Sequence, residues 1–233
     1  AVSGKCYLSL DNFNTSANRG ACVQPCRRGY TVQDRDKEIT LAIENEYIMS
    51  PKDLCTLPFL DKVLDAGVKI LKIEGRGRSP EYTKVTVGVY SEAVKAIQNG
   101  EFTEEKISQW TERLRSVYNR DFWDGYYLGR KMGEWTQRYG SQATKTKIFV
   151  GTVTNFFAKI NVAEIRMETQ DLKVGDDIMI IGPTTGVYED KVSEIRVDLK
   201  PVESTEKGEL CSIPVKDVIR RGDKVYKVID AES

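Results

Sequence analysis

The stretch Val68-Lys69-Ile70-Leu71-Lys72-Ile73-Glu74-Gly75-Arg76-Gly77-Arg78-Ser79-Pro80 decides the predicted fold of the first half of the chain. Apolar residues alternate over 68–74, which predicts a β-strand with Leu71 and Ile73 on one face. An apolar helical stripe at 60–64 precedes this strand, and the Ser-Pro pair at the end of the stretch predicts the start of a second helix. This order of helix, strand and helix is what the end of a parallel (β/α)8-type barrel shows.

The residues that follow this strand are candidate catalytic groups. The chemistry of a parallel barrel lies after the carboxy-terminal ends of its strands, which places Glu74, Arg76 and Arg78 at the mouth. An alternative is that Glu74 forms a charge pair with Lys72 inside the barrel, where both would still line the site. We therefore predict that Glu74, Arg76 and Arg78 shape a substrate pocket.

The segment after the second helix predicts a further helix and an aromatic cluster. Residues 103–119 carry acidic residues in the first turn and an apolar stripe along one side, the pattern of an amphipathic helix that packs on a barrel. Residues 122–127 are rich in aromatic side chains, and Arg130 and Lys131 follow them. Such a cluster can stack bases and hold phosphates. The alternative is that it fills a core between two domains.

Beyond a polar linker at 140–145, the pattern changes to short strands separated by turn signals such as Arg221-Gly222-Asp223. Strands are predicted over 148–154, 160–167, 177–181, 186–197, 209–213 and 224–229. Their length and spacing predict a small closed antiparallel β-barrel. We therefore expect an α/β domain over 1–140, with cysteine-rich loops and appended helices, and an all-β domain over 146–230.

Composition excludes several classes of function. The 35 basic and 35 acidic residues give zero net charge, so no global field favours a nucleic acid or a membrane surface. There is no apolar run long enough to span a membrane and no charged-then-apolar leader, so we expect a cytoplasmic protein. The sequence contains no histidine, which removes Ser–His and Cys–His nucleophile pairs and histidine-based zinc hydrolysis from this chain.

Four of the five cysteines lie in the first quarter of the chain, among glycine, arginine and polar residues. Cys6, Cys22, Cys26 and Cys55 are candidate metal ligands, because a reducing compartment disfavours disulfides and an odd count leaves one cysteine over. There is no Cys-x-x-Cys pair, so structural zinc is less favoured than an iron–sulfur cluster, which accepts more dispersed thiolates. The alternative is that these thiols are inert small hydrophobic groups. Cys211 lies in an alternating strand and is predicted to be a core residue.

Four separated motifs carry a resemblance to a known family. They are the segments 4–9, 18–27, 50–55 and 72–80. In this order they resemble the signature of the collagenase-like peptidase family, peptidase family U32. The resemblance implies a TIM-like barrel and a further cysteine two residues before Ala1. We therefore expect the chain to be the carboxy-terminal part of a longer protein.

The resemblance also implies a cofactor and an activity. It implies a 4Fe-4S cluster on four cysteines, namely Cys6, Cys22, Cys55 and the cysteine expected before Ala1. Cys26 would then be a neighbour or an alternative ligand, and zinc is the alternative metal. The RNA-modifying branch of the family implies hydroxylation of the wobble uridine of tRNA, with prephenate as the source of the hydroxyl group.

Three functions stay open at this point. Residues 172–176 and 222–225 resemble the second domain of translation elongation factors, a module that often meets RNA, which favours tRNA as the partner. The family name instead implies a collagenase-like peptidase that acts on peptide or collagen. A third reading is an RNA-binding or folding module without activity of its own. On any of these readings, the chain alone is expected to be inactive.

Overall fold

The computed structural model describes residues 7–15, 23, 25, 30–33, 40–42, 52–75, 77–129 and 141–231. The chain divides into two compact units, residues 1–143 and residues 144–233. Among the described residues, no helix is both long enough and apolar enough to cross a membrane.

The first unit combines helices with short strands. Its described elements are α1 (Tyr7–Phe13), β1 (Thr31–Gln33), β2 (Thr40–Ala42), β3 (Asp53–Leu54), a 3-10 turn (Leu57–Phe59), α2 (Leu60–Asp65), α3 (Pro80–Gln98), α4 (Glu104–Arg115) and β4 (Phe122–Trp123). Strands β1 and β2 pair antiparallel. Strand β3 pairs parallel with β4, which joins parts of the chain that are far apart in sequence.

Helices α3 and α4 form where the sequence predicts them. Pro80 occupies the first turn of α3, where its missing N–H costs no hydrogen bond. The Thr103 hydroxyl accepts a hydrogen bond from the Lys106 N–H at 3.4 Å and caps α4. Both helices bury one apolar stripe against the same core, which contains Cys55, Leu57, Leu60, Val89, Ala93, Ala96, Ile107, Trp110 and Leu114.

The predicted strand over 68–74 is not formed. Residues 68–75 have no regular secondary structure, and Ile70 is 85% exposed. The predicted alternation is nevertheless present, because Leu71 and Ile73 are half-buried while Lys72 and Glu74 are exposed. A strand needs a neighbouring strand with which to exchange hydrogen bonds, and no described residue pairs with this segment. The parallel barrel therefore stays a prediction.

The second unit is an antiparallel sheet. Its strands are β5 (Lys145–Phe157), β6 (Val162–Met167), β7 (Asp177–Gly182), β8 (Gly186–Lys191), β9 (Ile195–Val197), β10 (Lys200–Val202), β11 (Leu210–Pro214) and β12 (Lys224–Asp230). They lie side by side in the order β10-β9-β11-β6-β5-β12-β7-β8. This confirms the predicted strands, except that β10 was missed and the segment 186–197 forms two strands. Closure of the sheet into a barrel stays a prediction.

The buried face of this sheet forms a separate core. Val150, Ile165, Ile180 and Val225 are fully shielded from solvent there. Cys211 belongs to the same core, so its predicted packing role is confirmed. These residues alternate with more exposed neighbours along their strands, as expected for a sheet with one buried face.

A buried carboxylate fixes one end of the second unit. Asp223 is 2% exposed and accepts hydrogen bonds from the Thr185 hydroxyl at 2.5 Å and from the Arg220 N–H at 2.8 Å. Its carboxylate lies directly against Gly182, where any side chain would overlap it. The contact joins the β7–β8 hairpin to the turn that precedes β12.

Candidate functional site

Only part of the predicted site lies within the described residues. Glu74, Arg78 and Cys55 are described, whereas Arg76, Cys6, Cys22 and Cys26 lie outside the described residues. Whether the four amino-terminal cysteines converge therefore stays a prediction. Glu74 is exposed and Arg78 is largely buried, so the two differ in their access to solvent.

Strand β3 positions both a charged and a sulfur-bearing side chain. Its ladder with β4 is extended by hydrogen bonds from the Asp53 N–H to the Asp121 carbonyl at 2.8 Å and from the Cys55 N–H to the Trp123 carbonyl at 2.9 Å. Residues two apart along extended chain point to the same side. Asp53 and Cys55 are thus presented together by one short segment.

Cys55 is buried beside a phenol. Its Sγ lies 3.8 Å from the Tyr90 hydroxyl, and that hydroxyl oxygen also accepts a hydrogen bond from the Thr56 N–H at 3.1 Å. Since the Thr56 N–H donates to the Tyr90 oxygen, the phenolic proton is left for the Cys55 sulfur or for the Thr56 hydroxyl, 3.3 Å away. The Tyr90 hydroxyl group thus contacts both Cys55 and Thr56.

Burial raises the pKa of the Cys55 thiol above its usual range, with the hydrogen bonds around it acting in the opposite direction. A buried sulfur donor contacted by a hydroxyl group suits a cluster ligand, because burial and hydrogen bonds to sulfur set the potential of such clusters. Across the described ranges, no three cysteine or carboxylate side chains are grouped so that they could hold a metal ion. Cys55 is the member of the predicted ligand set that lies within the described residues, and its role as a ligand stays a prediction.

Arg78 is held between a carboxylate and two aromatic rings. Its Nη2 donates to Asp53 Oδ1 at 2.7 Å, and its side chain is only 13% exposed. The guanidinium carbon lies 4.9 Å from the centre of the Tyr82 ring and 4.7 Å from the centre of the Tyr118 ring. Arginine stacks on rings in this way because its guanidinium is planar and weakly hydrated.

One amino group of this guanidinium, Nη1, can still donate hydrogen bonds. The Arg78 Nη1 is buried and makes no hydrogen bond within the described part of the chain. A buried cationic N–H group without a hydrogen-bond acceptor lowers the stability of the folded protein. Such a group in a folded protein therefore requires an explanation. An anionic acceptor such as a carboxylate or phosphate oxygen would satisfy it.

Further cations surround Asp53. The Arg120 N–H donates to Asp53 Oδ2 at 3.1 Å, and the Arg120 guanidinium lies 3.7 Å from Oδ1. Lys52 and Arg115 both pair with Asp121, at 3.1 Å and 3.3 Å. This group of Lys52, Asp53, Arg78, Arg115, Arg120 and Asp121, which we call the Asp53 cluster, holds four cations against two carboxylates.

Sequence reasoning missed most partners of Arg78. Tyr82 lies four residues after Arg78, so its position could have been noted from helical spacing. Asp53 stands inside the motif that ends at Cys55, which was a second available signal. Tyr118 and Arg120 come from the segment after α4 and reach the site only through tertiary structure.

The aromatic cluster at 122–127 is divided between core and surface. Trp123 is buried and meets the Tyr126 ring edge-on, with 4.8 Å between ring centres. Tyr126 and Tyr127 are 48% and 63% exposed. Arg130 and Lys131 lie outside the described residues. Base stacking by the aromatic cluster at 122–127 therefore stays a prediction.

Comparison with known proteins identifies the class to which this chain belongs. Residues 1–137 match the model of Peptidase family U32. The chain is therefore a member of the U32 peptidase family, and the resemblance drawn from the motifs is confirmed.

Two curated relatives and one solved structure are similar to this chain. A protein named collagenase from Porphyromonas gingivalis is 56% identical over 97% of this chain and 55% of its own length. The tRNA hydroxylation protein P1 of Bacillus subtilis is 33% identical over 78% of this chain and 44% of its own length. The crystallised carboxy-terminal domain of a candidate U32 peptidase of Geobacillus thermoleovorans is 15% identical, with a TM-score of 0.33 over 34% of this chain and 90% of that domain. The chain spans about half the length of the two curated relatives.

Proposed function

We propose that this chain takes part, with the remainder of a U32 protein, in hydroxylation of the wobble uridine of tRNA. The two named relatives divide between a collagenase and a tRNA hydroxylation protein, so the choice rests on the chemistry of the site. The Asp53 cluster offers a binding site for an anion. It offers no histidine for hydrolysis, because the chain contains none.

The observation that carries this proposal is the buried Nη1 of Arg78, which has no hydrogen-bond partner among the described residues. The group is buried, cationic and flanked by two rings, which suits a small carboxylate with an unsaturated or aromatic body. Prephenate, the proposed hydroxyl source, has this chemistry. In the proposal, Asp53 holds Arg78 in place, and Glu74 and Arg76 contribute to the same pocket.

The proposed cofactor is a 4Fe-4S cluster, which supplies one-electron chemistry when bound. Cys6, Cys22 and Cys55 would hold it, with Cys26 as a neighbour. The residues of this chain would bind the substrate and shield the cluster from water. Tyr90 would orient the Cys55 sulfur through its hydroxyl group.

A second candidate is a collagenase-like peptidase. It is favoured by the 56% identity with the Porphyromonas gingivalis protein named collagenase. A histidine-based hydrolytic site would have to use residues outside this chain, since none of the 233 residues is a histidine.

The experiment compares tRNA from cells with and without the gene. The whole protein is purified without oxygen, its iron and sulfide are measured, and the tRNA nucleosides are analysed by mass spectrometry. We expect iron and sulfide in the protein, and loss of a uridine carrying one extra oxygen atom when the gene is deleted. Unchanged nucleosides, together with gelatin cleavage by iron-free protein, would overturn the proposal in favour of the peptidase.

A pair of arginine variants tests the Asp53 cluster in the same cells. Arg78→Gln is expected to abolish the modified uridine in a folded protein, because it removes the charge that binds the anion. Arg113→Gln is the matched control, since Arg113 pairs with Glu92 on an exposed helix surface. The control is expected to retain the modification. Equal activity of the two variants would remove Arg78 from the site.

A further inference from the structure

The outer face of the second unit carries aromatic and basic side chains in register. Tyr226 on β12 lies directly opposite Phe149 on β5, and their ring centres are 5.7 Å apart. The Lys147 ammonium lies 5.0 Å from the centre of the Tyr226 ring, and the Lys224 ammonium 5.3 Å from that of Phe149. We call these four residues, Lys147, Phe149, Lys224 and Tyr226, the aromatic strip.

The rings of the strip face away from the core. The pairing of β12 with β5 shifts register between Val225 and Tyr226, but its pairing with β7 is regular there. Since Val225 is fully buried on the inner face, Tyr226 points to the opposite side. Phe149 and Tyr226 are both half-buried, whereas core residues of the same strands such as Val150 are fully buried. Each ring therefore keeps part of its surface in contact with solvent.

A basic row borders the strip. Lys224 lies opposite Thr152, which lies opposite Arg166 on the next strand. The Lys224 ammonium donates to the Thr152 hydroxyl at 3.0 Å, which confirms that these side chains share one face. Arg166 adds a third cation to Lys147 and Lys224.

Acidic residues also lie on this face, and two of them pair with lysines. Asp230 pairs with Lys145 at 2.7 Å, and Asp177, which is opposite Val228, pairs with Lys191 at 2.8 Å. Met179 on β7 lies opposite Tyr226, and Glu189 on β8 lies opposite Met179. Glu189 is therefore on the same face of the sheet as Tyr226. The ammonium groups of Lys147 and Lys224 lie directly beside the two rings, and positive charge at that place complements a polyanion.

We propose that the aromatic strip binds single-stranded RNA, with bases stacked on Phe149 and Tyr226 and phosphates bound by Lys147, Lys224 and Arg166. The choice of RNA as the substrate class rests on the proposed function. Aromatic side chains interleaved with basic residues are the usual means of binding unpaired nucleotides without reading their sequence.

The interaction energies favour replacement of the lysine over each ring by a stacked RNA base. A cation over an exposed ring contributes about 0.5–1 kcal/mol, whereas a stacked base contributes about 1–3 kcal/mol. An incoming base can therefore replace a lysine over its ring, and the released ammonium group is then placed to bind a phosphate. The ring pair contributes about 0.2–1 kcal/mol across the strands, so a purely structural role for the rings and their cations is the alternative that the binding assay tests.

The test measures binding of the full chain to a uridine-rich single-stranded RNA by fluorescence anisotropy. Tyr226→Leu and Phe149→Leu are each expected to weaken binding about tenfold, the loss of one stacked base. Tyr226→Phe keeps the ring and is expected to bind as the original chain does. Phe157→Leu removes an exposed ring elsewhere on β5 and serves as the matched control.

Salt dependence supplies a second readout, which remains usable if a leucine variant fails to fold. Lys224→Gln is expected to lower the slope of log K against log salt by about 0.7, the contribution of one phosphate contact to a single strand. An unchanged slope would remove Lys224 from the phosphate contacts and overturn the proposal.

Three other results would also overturn the proposal. They are unchanged binding by the leucine variants, equal losses for Tyr226→Phe and Tyr226→Leu, and equally tight binding of duplex RNA with the same dependence on the rings. The assay needs no iron and no turnover. A protein that binds RNA through the strip but leaves tRNA nucleosides unchanged would therefore retain this inference while the proposed hydroxylation fails.

Discussion

The Arg78 guanidinium donates from Nη2 to Oδ1 of Asp53 at 2.7 Å, and this contact ties the segment before α3 to strand β3. Asp53 also accepts a hydrogen bond from the Arg120 N–H, so one carboxylate serves two arginines. Removal of Asp53 would leave both cations without their common partner. Asp53 is thus the residue through which Arg78 and Arg120 are connected.

Asp53→Ala is therefore expected to destabilise the first unit. Loss of one partner of a fully buried pair costs about 3–5 kcal/mol, and partial exposure of this pair reduces the expected loss to about 2 kcal/mol. Urea denaturation of the full chain measures the change. Glu101→Ala, which removes an exposed partner of Lys106, is expected to leave the free energy of unfolding unchanged. Equal effects of the two substitutions would contradict the central role of Asp53.

Gly182→Ala tests the close contact with Asp223. A methyl group at residue 182 would overlap the buried carboxylate, which is itself held by Thr185 and by the Arg220 N–H. We expect a loss of about 1–3 kcal/mol, as for other overpacked positions, measured by thermal or urea unfolding. Gly77→Ala is the control, because no atom of the described residues lies within 4 Å of its added methyl group. A tolerated Gly182→Ala would show that the turn can move.

Stability at low pH is expected to depend on Asp190. The Lys216 ammonium, 2.7 Å away, and the Tyr188 hydroxyl, 2.6 Å away, lower the pKa of Asp190 from 3.8 to about 2. A carboxyl group whose pKa is lower in the folded state stabilises the fold above its unfolded pKa. This contribution is lost as the pH falls from about 4 towards 2.

The measurement is the free energy of unfolding between about pH 2 and pH 6, the range that spans both pKa values of Asp190. Asp190→Asn is expected to flatten part of the pH dependence, because the substituted side chain does not titrate. Lys216→Gln removes the cation beside Asp190 and should flatten the same part of the curve. Identical curves for all three proteins would exclude a linkage through Asp190.

Cys211 is expected to resist alkylation. Burial raises the pKa of its thiol to about 12, and Glu209 acts in the same direction, so little thiolate is present at pH 8. Mass spectrometry after treatment with iodoacetamide should find Cys211 unmodified until urea unfolds the second unit. Ser212→Cys places a thiol on the adjacent, less buried position of β11 and should react in the native protein. Rapid native labelling of Cys211 would contradict its place in the core.

The sequence predicted the elements that depend on local pattern. Thr103 marks the start of α4, and the glycines at 175 and 222 have the positive φ angles of 91° and 90° expected at turns. Strand β10 was missed because Pro201 interrupts its pattern, and proline is tolerated there at the edge of the sheet. Such edge strands carry little periodic signal.

Features that depend on distant neighbours could not be predicted from the sequence. Residues 68–74 alternate like a strand, but a strand also requires a partner, and the described residues supply none. The Asp53–Arg120 contact joins residues far apart in sequence, so no spacing rule indicates it. The predicted roles of Cys6, Cys22, Cys26 and Arg76 stay predictions, because these residues lie outside the described residues.

Strand β3 is only two residues long. The residue that begins it and the residue that follows it make different contacts. Asp53 anchors the arginines, while Cys55, immediately after the strand, contacts Tyr90. Hydrogen bonds to β4 hold this segment at both ends, from the Asp53 N–H to the Asp121 carbonyl and from the Cys55 N–H to the Trp123 carbonyl. The short ladder between β3 and β4 thus fixes the spacing between the carboxylate and the sulfur.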